Sequence, residues 1–275
     1  MAKNIDGAVV DGFGDEWSRF DQTALSDEEP DRMFDNYFNI FPWEILPENA
    51  EGFDLGCGSG RWAKLVASRV SKLHVIDPSS EALTVAKRNL AGSDNCQFYI
   101  AGAGDIPLED ESCDFGYSLG VLHHIPDTES GLQACVDKIK SGAPFLVYLY
   151  YRFDNRPAWF RALWKVSDIV RRIICKLPHS LRYLISQILA AVIYFPLART
   201  AKLLEKMGLN VEKFPLSQYR NNSFYVMRND SLDRFGTRLE QRFTQAEIRQ
   251  MMERCGLERI VFSKTAFWTA LGFKK

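Results

Sequence analysis

Between residues 52 and 151, short apolar runs alternate with stretches whose apolar positions recur at helical spacing. Gly52 to Leu55 reads as a first strand, and Trp62, Leu65, Val66 and Arg69 follow on one helical face. Leu73 to Ile76 is a second strand that closes at Asp77, where Pro78-Ser79 opens a helix reaching about Leu90. Gln97 to Ile100 and Asp114 to Leu119 predict strands three and four. Thr128 to Lys140 predicts a helix with Leu132, Cys135, Val136 and Ile139 on one side. Ser141-Gly142 stops it, and PFLVYLYY over 144–151 reads as a strand buried on both faces. Strands alternating with helices in this way imply βαβ units and a parallel sheet, an α/β fold.

The rhythm stops at Arg152. From there to about Arg242 the chain is rich in arginine, aromatics and helical pattern, without strand signals, and reads as an insertion. It resumes with Thr244 and Glu247 as a capping box, a helix to Cys255, Gly256 as its stop, and a closing pair of strands at 258–263 and 266–273. The expected divisions are 1–48, 49–151, 152–242 and 243–275, the first and third flanking the core as lid and helical cap. Within the insertion, Ile185 to Leu197 is apolar but is interrupted by Gln187 and Pro196, which makes it too short for a membrane span. It reads as a cap helix packed on its own protein. Contact with a membrane surface or a lipid-like substrate is the alternative, because Arg171, Arg172, Lys176, Arg182, Arg199 and Lys202 flank it.

Composition narrows the partners. With 34 Lys+Arg against 35 Asp+Glu there is no basic field to gather nucleic acid, so none is expected, and a small molecule is the expected partner. Six scattered cysteines with no C-x-x-C pair suit reduced thiols, and Met1 to Asp11 lacks an apolar signal region, so a cytoplasmic location is expected. Apart from His123 and His124, the histidines are His74 and His179, far apart in the pattern, and no metal site is expected.

Candidate chemistry starts at Asp54-Leu55-Gly56-Cys57-Gly58-Ser59-Gly60, where the first strand ends and a helix opens. Glycines there allow a tight turn and bring backbone N–H groups close to a ligand, although a plain βα turn has the same need. The spacing is G-x-G-x-G, not the G-x-G-x-x-G of a dinucleotide site. Asp77, seventeen residues beyond Gly60, emerges where a carboxylate can accept both hydroxyls of a ribose; with Pro78-Ser79 it also reads as a helix cap. Cys57 reads as a small residue tolerated by close packing rather than a nucleophile.

With these motifs the chain resembles the class I S-adenosylmethionine-dependent methyltransferases, over roughly Gly52 to Tyr151 and the last thirty or so residues. DLGCGSG is similar to that family's first motif, HVIDPSS to its second, and AGAGDIPLEDESCDFGYSLGVLHHIPD to the stretch carrying its third and fourth. The resemblance implies a doubly wound, mostly parallel seven-stranded sheet with S-adenosylmethionine as cofactor. It implies that Gly56, Cys57 and Gly58 present backbone to the methionine part, that Asp54 holds its ammonium through water, and that Asp77 binds the ribose. Pro78 would lie beside the adenine, Ala103 would offer its backbone to the adenine edge, and Leu119 and Gly120 would line the sulfonium end. Many relatives carry Asp where this chain has Gly102, so Asp105 or backbone alone would serve the adenine. N-terminal elements in the family often close over the cofactor, which makes Trp17 and Phe20 lid candidates.

His123 and His124 follow the fourth strand, at the edge where a transferable methyl should sit. His124 could deprotonate an acceptor, or the His-His-x-Pro run could simply shape the pocket and cap the next helix. Tyr151, Arg152, Asn155 and Arg156 leave the same edge of the sheet and are expected to orient the acceptor. The expected reaction is methyl transfer to a hydroxylated small molecule such as a sugar or secondary metabolite. The alternatives are a lipid-like, quinone or membrane-carried acceptor, a nicotinamide-dependent oxidoreductase on a related fold, and a non-catalytic binding module.

Overall fold

A computed structural model describes residues 4–25, 28–153, 156–265 and 268–275, and among the described residues there are seven strands and ten α-helices. The chain divides into two units, the first made of Met1–Gln22, Pro30–Arg152 and Leu239–Lys275, the second of Thr23–Glu29 and Phe153–Arg238. In order the elements are α1 (Gly7–Arg19), α2 (Glu28–Phe38), β1 (Glu51–Leu55), α3 (Arg61–Ala67), β2 (Lys72–Asp77) and α4 (Ser80–Asn89). There follow β3 (Cys96–Ile100), β4 (Phe115–Leu119), α5 (Thr128–Lys138) and β5 (Pro144–Tyr148). The second unit holds α6 (Ala158–Ile174), α7 (His179–Leu189), α8 (Phe195–Lys206) and α9 (Phe224–Gly236), and the chain closes with α10 (Gln245–Arg254), β6 (Leu257–Phe262) and β7 (Thr269–Lys274).

The first unit is built on one sheet in the order β3-β2-β1-β4-β5-β7-β6, parallel throughout except for β7, which runs antiparallel to both neighbours. The central strands β4 and β5 are buried at every position, as strands covered by helices on both faces must be. Phe53, Leu55, Phe145 and Val147 share one core with Leu132 and Val136 of α5 and Met251 and Met252 of α10. Phe115, Tyr117, Leu146 and Tyr148 share the other with Phe34 and Phe38 of α2, Trp62 and Val66 of α3, and Leu83 and Ala86 of α4. Full burial of each such side chain contributes about 1.5–3 kcal/mol. Two reciprocal pairs fix the β1–β4 contact: Gly52 sits opposite Phe115 and Phe53 opposite Gly116, and each ring occupies the space a Cβ on the glycine would need.

The insertion is shorter than the sequence pattern suggests, 153–238 rather than 152–242. Residues 239–242 return to the core unit because Gln241 N–H donates to His123 O and Phe243 N–H to Tyr150 O, both at 2.9 Å. The segment Thr23–Glu29, which the pattern assigned to the N-terminal lid, belongs to the second unit: Ser223 N–H donates to a Glu29 carboxylate oxygen at 2.7 Å. The last strand starts at Thr269, and Ala266 and Phe267, included in the expected strand, lie outside the described residues.

Pro196 does not interrupt the apolar segment, contrary to the sequence reading. His179–Lys206 is one helical run of 28 residues, about 42 Å long at 1.5 Å per residue, and by length and composition it could cross a membrane. A π turn at Ala190–Tyr194 ends two residues before the proline. Its wider ladder absorbs the missing N–H and the ring clash that would break an α-helix. A small core of Ile174, Tyr194, Ala198, Met227 and Phe235 holds this unit together.

Both halves of the capping box at α10 are formed, Glu247 N–H to Thr244 Oγ1 at 3.2 Å and Thr244 N–H to Glu247 Oε2 at 2.7 Å. Thr244→Ala should cost about 1 kcal/mol, read as a fall in melting temperature of roughly 2–4 °C; an unchanged melting curve would remove the cap from the stabilising contacts.

Candidate active site

The strand order reverses between β1 and β4, and at such a point the loops leaving the carboxyl ends of the strands splay apart to leave a crevice. A cavity lies there, with about 750 Å³ of space not filled by protein atoms, part of it open solvent. Its floor is made by Leu55 and Gly56 after β1, Asp77 and Pro78 after β2, Gly102 and Ala103 after β3, and Leu119, Gly120 and Val121 after β4. His124 and Ile125 close one side, and Ile5, Asp6, Val9, Val10, Phe13 and Trp17 form the roof.

The glycine turn is shaped by backbone bonds. Gly56 N–H and Cys57 N–H donate to Ile76 O at 2.8 and 3.1 Å, which seats the turn on the end of β2. Gly56, Gly58 and Gly60 all have positive φ, +79°, +54° and +74°, where a side chain would be strained. Asp77 then locks the turn: its Oδ2 accepts from Gly58 N–H and its Oδ1 from Ser79 N–H, each at 2.9 Å. Burial pushes the Asp77 carboxyl up to about 6, against the pull of these two backbone bonds. A carboxylate has about four lone-pair positions, so two remain to accept hydroxyls of a ligand.

Asp54 lies under the turn rather than on the cavity wall. It is 1% exposed, and burial pushes its carboxyl up to about 8. The Tyr117 hydroxyl, facing it without closing a hydrogen bond of normal geometry, pulls it back, and the charge of Asp77 adds to the rise. Its Oδ2 has no hydrogen-bond partner among the described residues, which suits the expected water-borne contact to a cationic group. Cys57 is also buried, its thiol donating to Gly58 O at 3.7 Å and held well above the usual thiol range by burial and by the two carboxylates, so it is no nucleophile.

The roof is α1. Asp6 caps it, accepting from Ala8 N–H and Val9 N–H, and Val9, Phe13 and Trp17, four residues apart, turn one face to the cavity. Gly14 sits so close to α4 that a Cβ would come within 2.8 Å of Ser79 Oγ, and a Cβ on Gly58 would meet the Trp17 ring at 2.7 Å. Of the two lid candidates, Trp17 lines the cavity, whereas Phe20 is fully buried as a core residue. The contributions of Ile5 to Val10 escaped the sequence reading; the four-residue spacing of Val9, Phe13 and Trp17 was the signal that could have found them.

Other expected site residues are placed elsewhere. Asp105 Oδ1 accepts from Gly102 N–H at 2.8 Å, so it shapes the turn and does not line the cavity. Tyr151 is buried beside Trp268 and bridged to Phe243, and Arg152 donates to Arg242 O and pairs with Glu247 at 3.2 Å. Neither lines the cavity: the strand ends at Tyr148, and the backbone pairing with 241–243 turns these side chains to other work. Arg156 belongs to the second unit, donating to Glu212 O at 2.6 Å, and Asn155 lies outside the described residues.

His124 remains. It is 3% exposed, lines the cavity, and its Nδ1 lies 2.7 Å from Leu239 O. A carbonyl only accepts, so Nδ1 carries the hydrogen, and in the neutral ring Nε2 is then the basic nitrogen. His123 packs against both His124 and Tyr150 with tilted rings, each at a centroid distance of 3.9 Å, and His124 meets Tyr150 edge-on at 5.4 Å. Burial, with the charges of His124 and Arg242, holds His123 well below the usual histidine range.

Residues 53–147 match the family model described as a methyltransferase domain. The chain is 34% identical over 137 residues to a ubiquinone biosynthesis O-methyltransferase of Nitrosomonas europaea, covering 46% of this chain and 58% of that one. It is 30% identical over 105 residues to the enzyme of the same name from a Shewanella species, covering 38% and 43%. The chain thus spans about half the length of these curated relatives. Human N-acetylserotonin methyltransferase in complex with S-adenosylmethionine shares the fold, with a TM-score of 0.51 at 16% identity over 88% of this chain and 51% of that one. Residues 53–147 thus form a methyltransferase domain, on a fold shared with that S-adenosylmethionine-binding structure. The nicotinamide-dependent alternative is set aside by the same match.

The crevice fits that cofactor: a positive-φ turn open to close approach, an acidic acceptor at the end of β2, and Gly120, whose Cβ position meets nothing within 4 Å. Holding ribose hydroxyls needs Asp77 ionised. Affinity for S-adenosylmethionine should therefore be level above about pH 6 and fall about tenfold per pH unit below it. Calorimetry on wild type and Asp77→Asn tests this: the variant should bind weakly at every pH, and a wild-type affinity that ignores pH would contradict the role.

Proposed function

We propose that the chain transfers a methyl group to a hydroxyl of an apolar, quinone-like small molecule, with His124 as the general base. The observation that carries this reading is the 2.7 Å contact of His124 Nδ1 with Leu239 O, on a wall that is otherwise mostly apolar. When bound, S-adenosylmethionine supplies an electrophilic methyl on a sulfonium. Leu119 and Gly120 line the floor on the side where His124 stands, and Phe13, its ring 5.1 Å from the imidazole, screens that side from water. Held there, an acceptor hydroxyl gives its proton to Nε2 as its oxygen becomes nucleophilic, while the Leu239 carbonyl steadies the imidazolium through Nδ1–H. Most of the rate comes from position and dryness, because the leaving thioether is neutral.

The sugar acceptor favoured by the sequence needs several side-chain donors and acceptors around the ring. Among the described lining residues the titratable or hydrogen-bonding side chains are Asp6, Asp77, His124 and Trp17; Asp6 caps α1 and Asp77 holds the turn. The names of the two O-methyltransferase relatives support the quinone-like alternative. Incubation with S-adenosylmethionine and either a prenylated catechol or a sugar, read by mass spectrometry, separates the two acceptors. The catechol should gain one methyl, and methylation of the sugar alone would overturn the acceptor class. His124→Asn should lower kcat by about 10²–10⁴-fold and leave cofactor affinity unchanged; a wild-type kcat would remove the base.

A further inference from the structure

The second unit exposes an apolar surface of unusual extent. Of 19 large apolar side chains that are exposed among the described residues, 16 lie between Trp159 and Phe224. On α6, Trp159, Leu163, Val166, Val170 and Ile173 recur every three or four residues and form one stripe, from 39% to 63% exposed. The opposite side of α6 is fastened to α9: Arg234 lies 5.9 Å over the Trp164 ring, donates to Ser167 Oγ at 3.3 Å, and stands 3.9 Å from Asp168. On α7 and its continuation, Leu181, Leu184, Ile188 and Val192 are likewise exposed. Their inner side is bonded to α9, with Ser231 Oγ donating to Ser186 O at 2.8 Å and Arg228 donating to the Tyr183 hydroxyl at 2.7 Å and to Gln187.

Charge decides what such a surface fits. Between residues 158 and 207 there are nine Lys and Arg against two acidic residues, in a chain whose net charge is −1. On α6, Arg161, Lys165 and Arg172 fall in a line along one border of the apolar stripe, and Lys176 follows in the turn after the helix, all exposed, so the helix carries a polar inner face, an apolar outer face and a basic edge. A soluble partner helix would match the stripe but leave the basic edge unused, and a second copy of this chain would set like charges against each other. An anionic phospholipid surface meets both, taking the apolar side chains below the headgroups and the basic ones among the phosphates. Spanning is disfavoured although the 179–206 helix is long enough, since its inner face would carry Arg228 and its neighbours on α9 into hydrocarbon.

We propose that the second unit docks on the surface of an anionic bilayer, with α6 lying in the plane of the interface. The inference does not rest on the acceptor assigned above. Vesicles of phosphatidylcholine alone, or mixed with phosphatidylglycerol, are pelleted with the full chain, and bound protein is measured at low and high salt. The wild type should pellet with the mixed vesicles, poorly with phosphatidylcholine, and less at high salt. Val166→Glu with Ile173→Glu should weaken binding by at least about tenfold, and Arg161→Glu, Lys165→Glu and Lys176→Glu together by about a hundredfold or more, each variant keeping the wild-type melting temperature because these side chains are exposed. Failure to pellet with the mixed vesicles, or equal pelleting with both kinds, would overturn the proposal. A wild-type dimer in light scattering that Ile173→Glu converts to monomer, without vesicle binding, would assign the face to a second copy instead.

Discussion

The Asp77 carboxylate accepts from Gly58 N–H with one oxygen and from Ser79 N–H with the other, each at 2.9 Å, and the rest of the crevice is arranged around those two bonds. Gly58 is where the Trp17 ring rests, and Ser79 is where Gly14 lets α1 approach α4. Two of the points at which α1 meets the core are thus residues that Asp77 holds. One buried acid shapes the floor, seats the roof and keeps lone pairs to spare for a ligand. Burial raises its pKa to about 6, which leaves it ionised near neutrality while keeping the desolvated charge available to a ligand.

Across the cavity, His124 faces a different environment. Its orientation is set by a carbonyl at 2.7 Å from the segment that re-enters the core after the insertion, so the placing of this imidazole depends on residues 239–243 as much as on the loop after β4. The neighbouring His123 is held well below the usual histidine range by burial, with the charges of His124 and Arg242, and packs against both the His124 and the Tyr150 ring. Apolar walls around one oriented imidazole suit a neutral aromatic hydroxyl, whose proton is removed only as the new bond forms.

Much of this was legible in the chain. Strand and helix order followed from the apolar rhythm, because each strand is buried on a sheet whose register is imposed by its neighbours, and Thr244 with Glu247 announced α10 through its own local bonds. Asp77 and the three positive-φ glycines were found because their chemistry is local in sequence. What was missed depends on distant pairing. Tyr151 and Arg152 were read as facing the pocket, but Phe243 and Arg242, ninety residues on, claim their backbone and side chains. Pro196 was read as a stop, and the π turn that accommodates it has no signature in the pattern.

The most direct test is a crystal structure of the protein with S-adenosylhomocysteine. Density should fill the cavity under α1, with both ribose hydroxyls on Asp77 and the sulfur toward Leu119, Gly120 and His124. Ligand bound outside that cavity, or ribose hydroxyls held by a residue other than Asp77, would contradict the organisation of the site around this carboxylate.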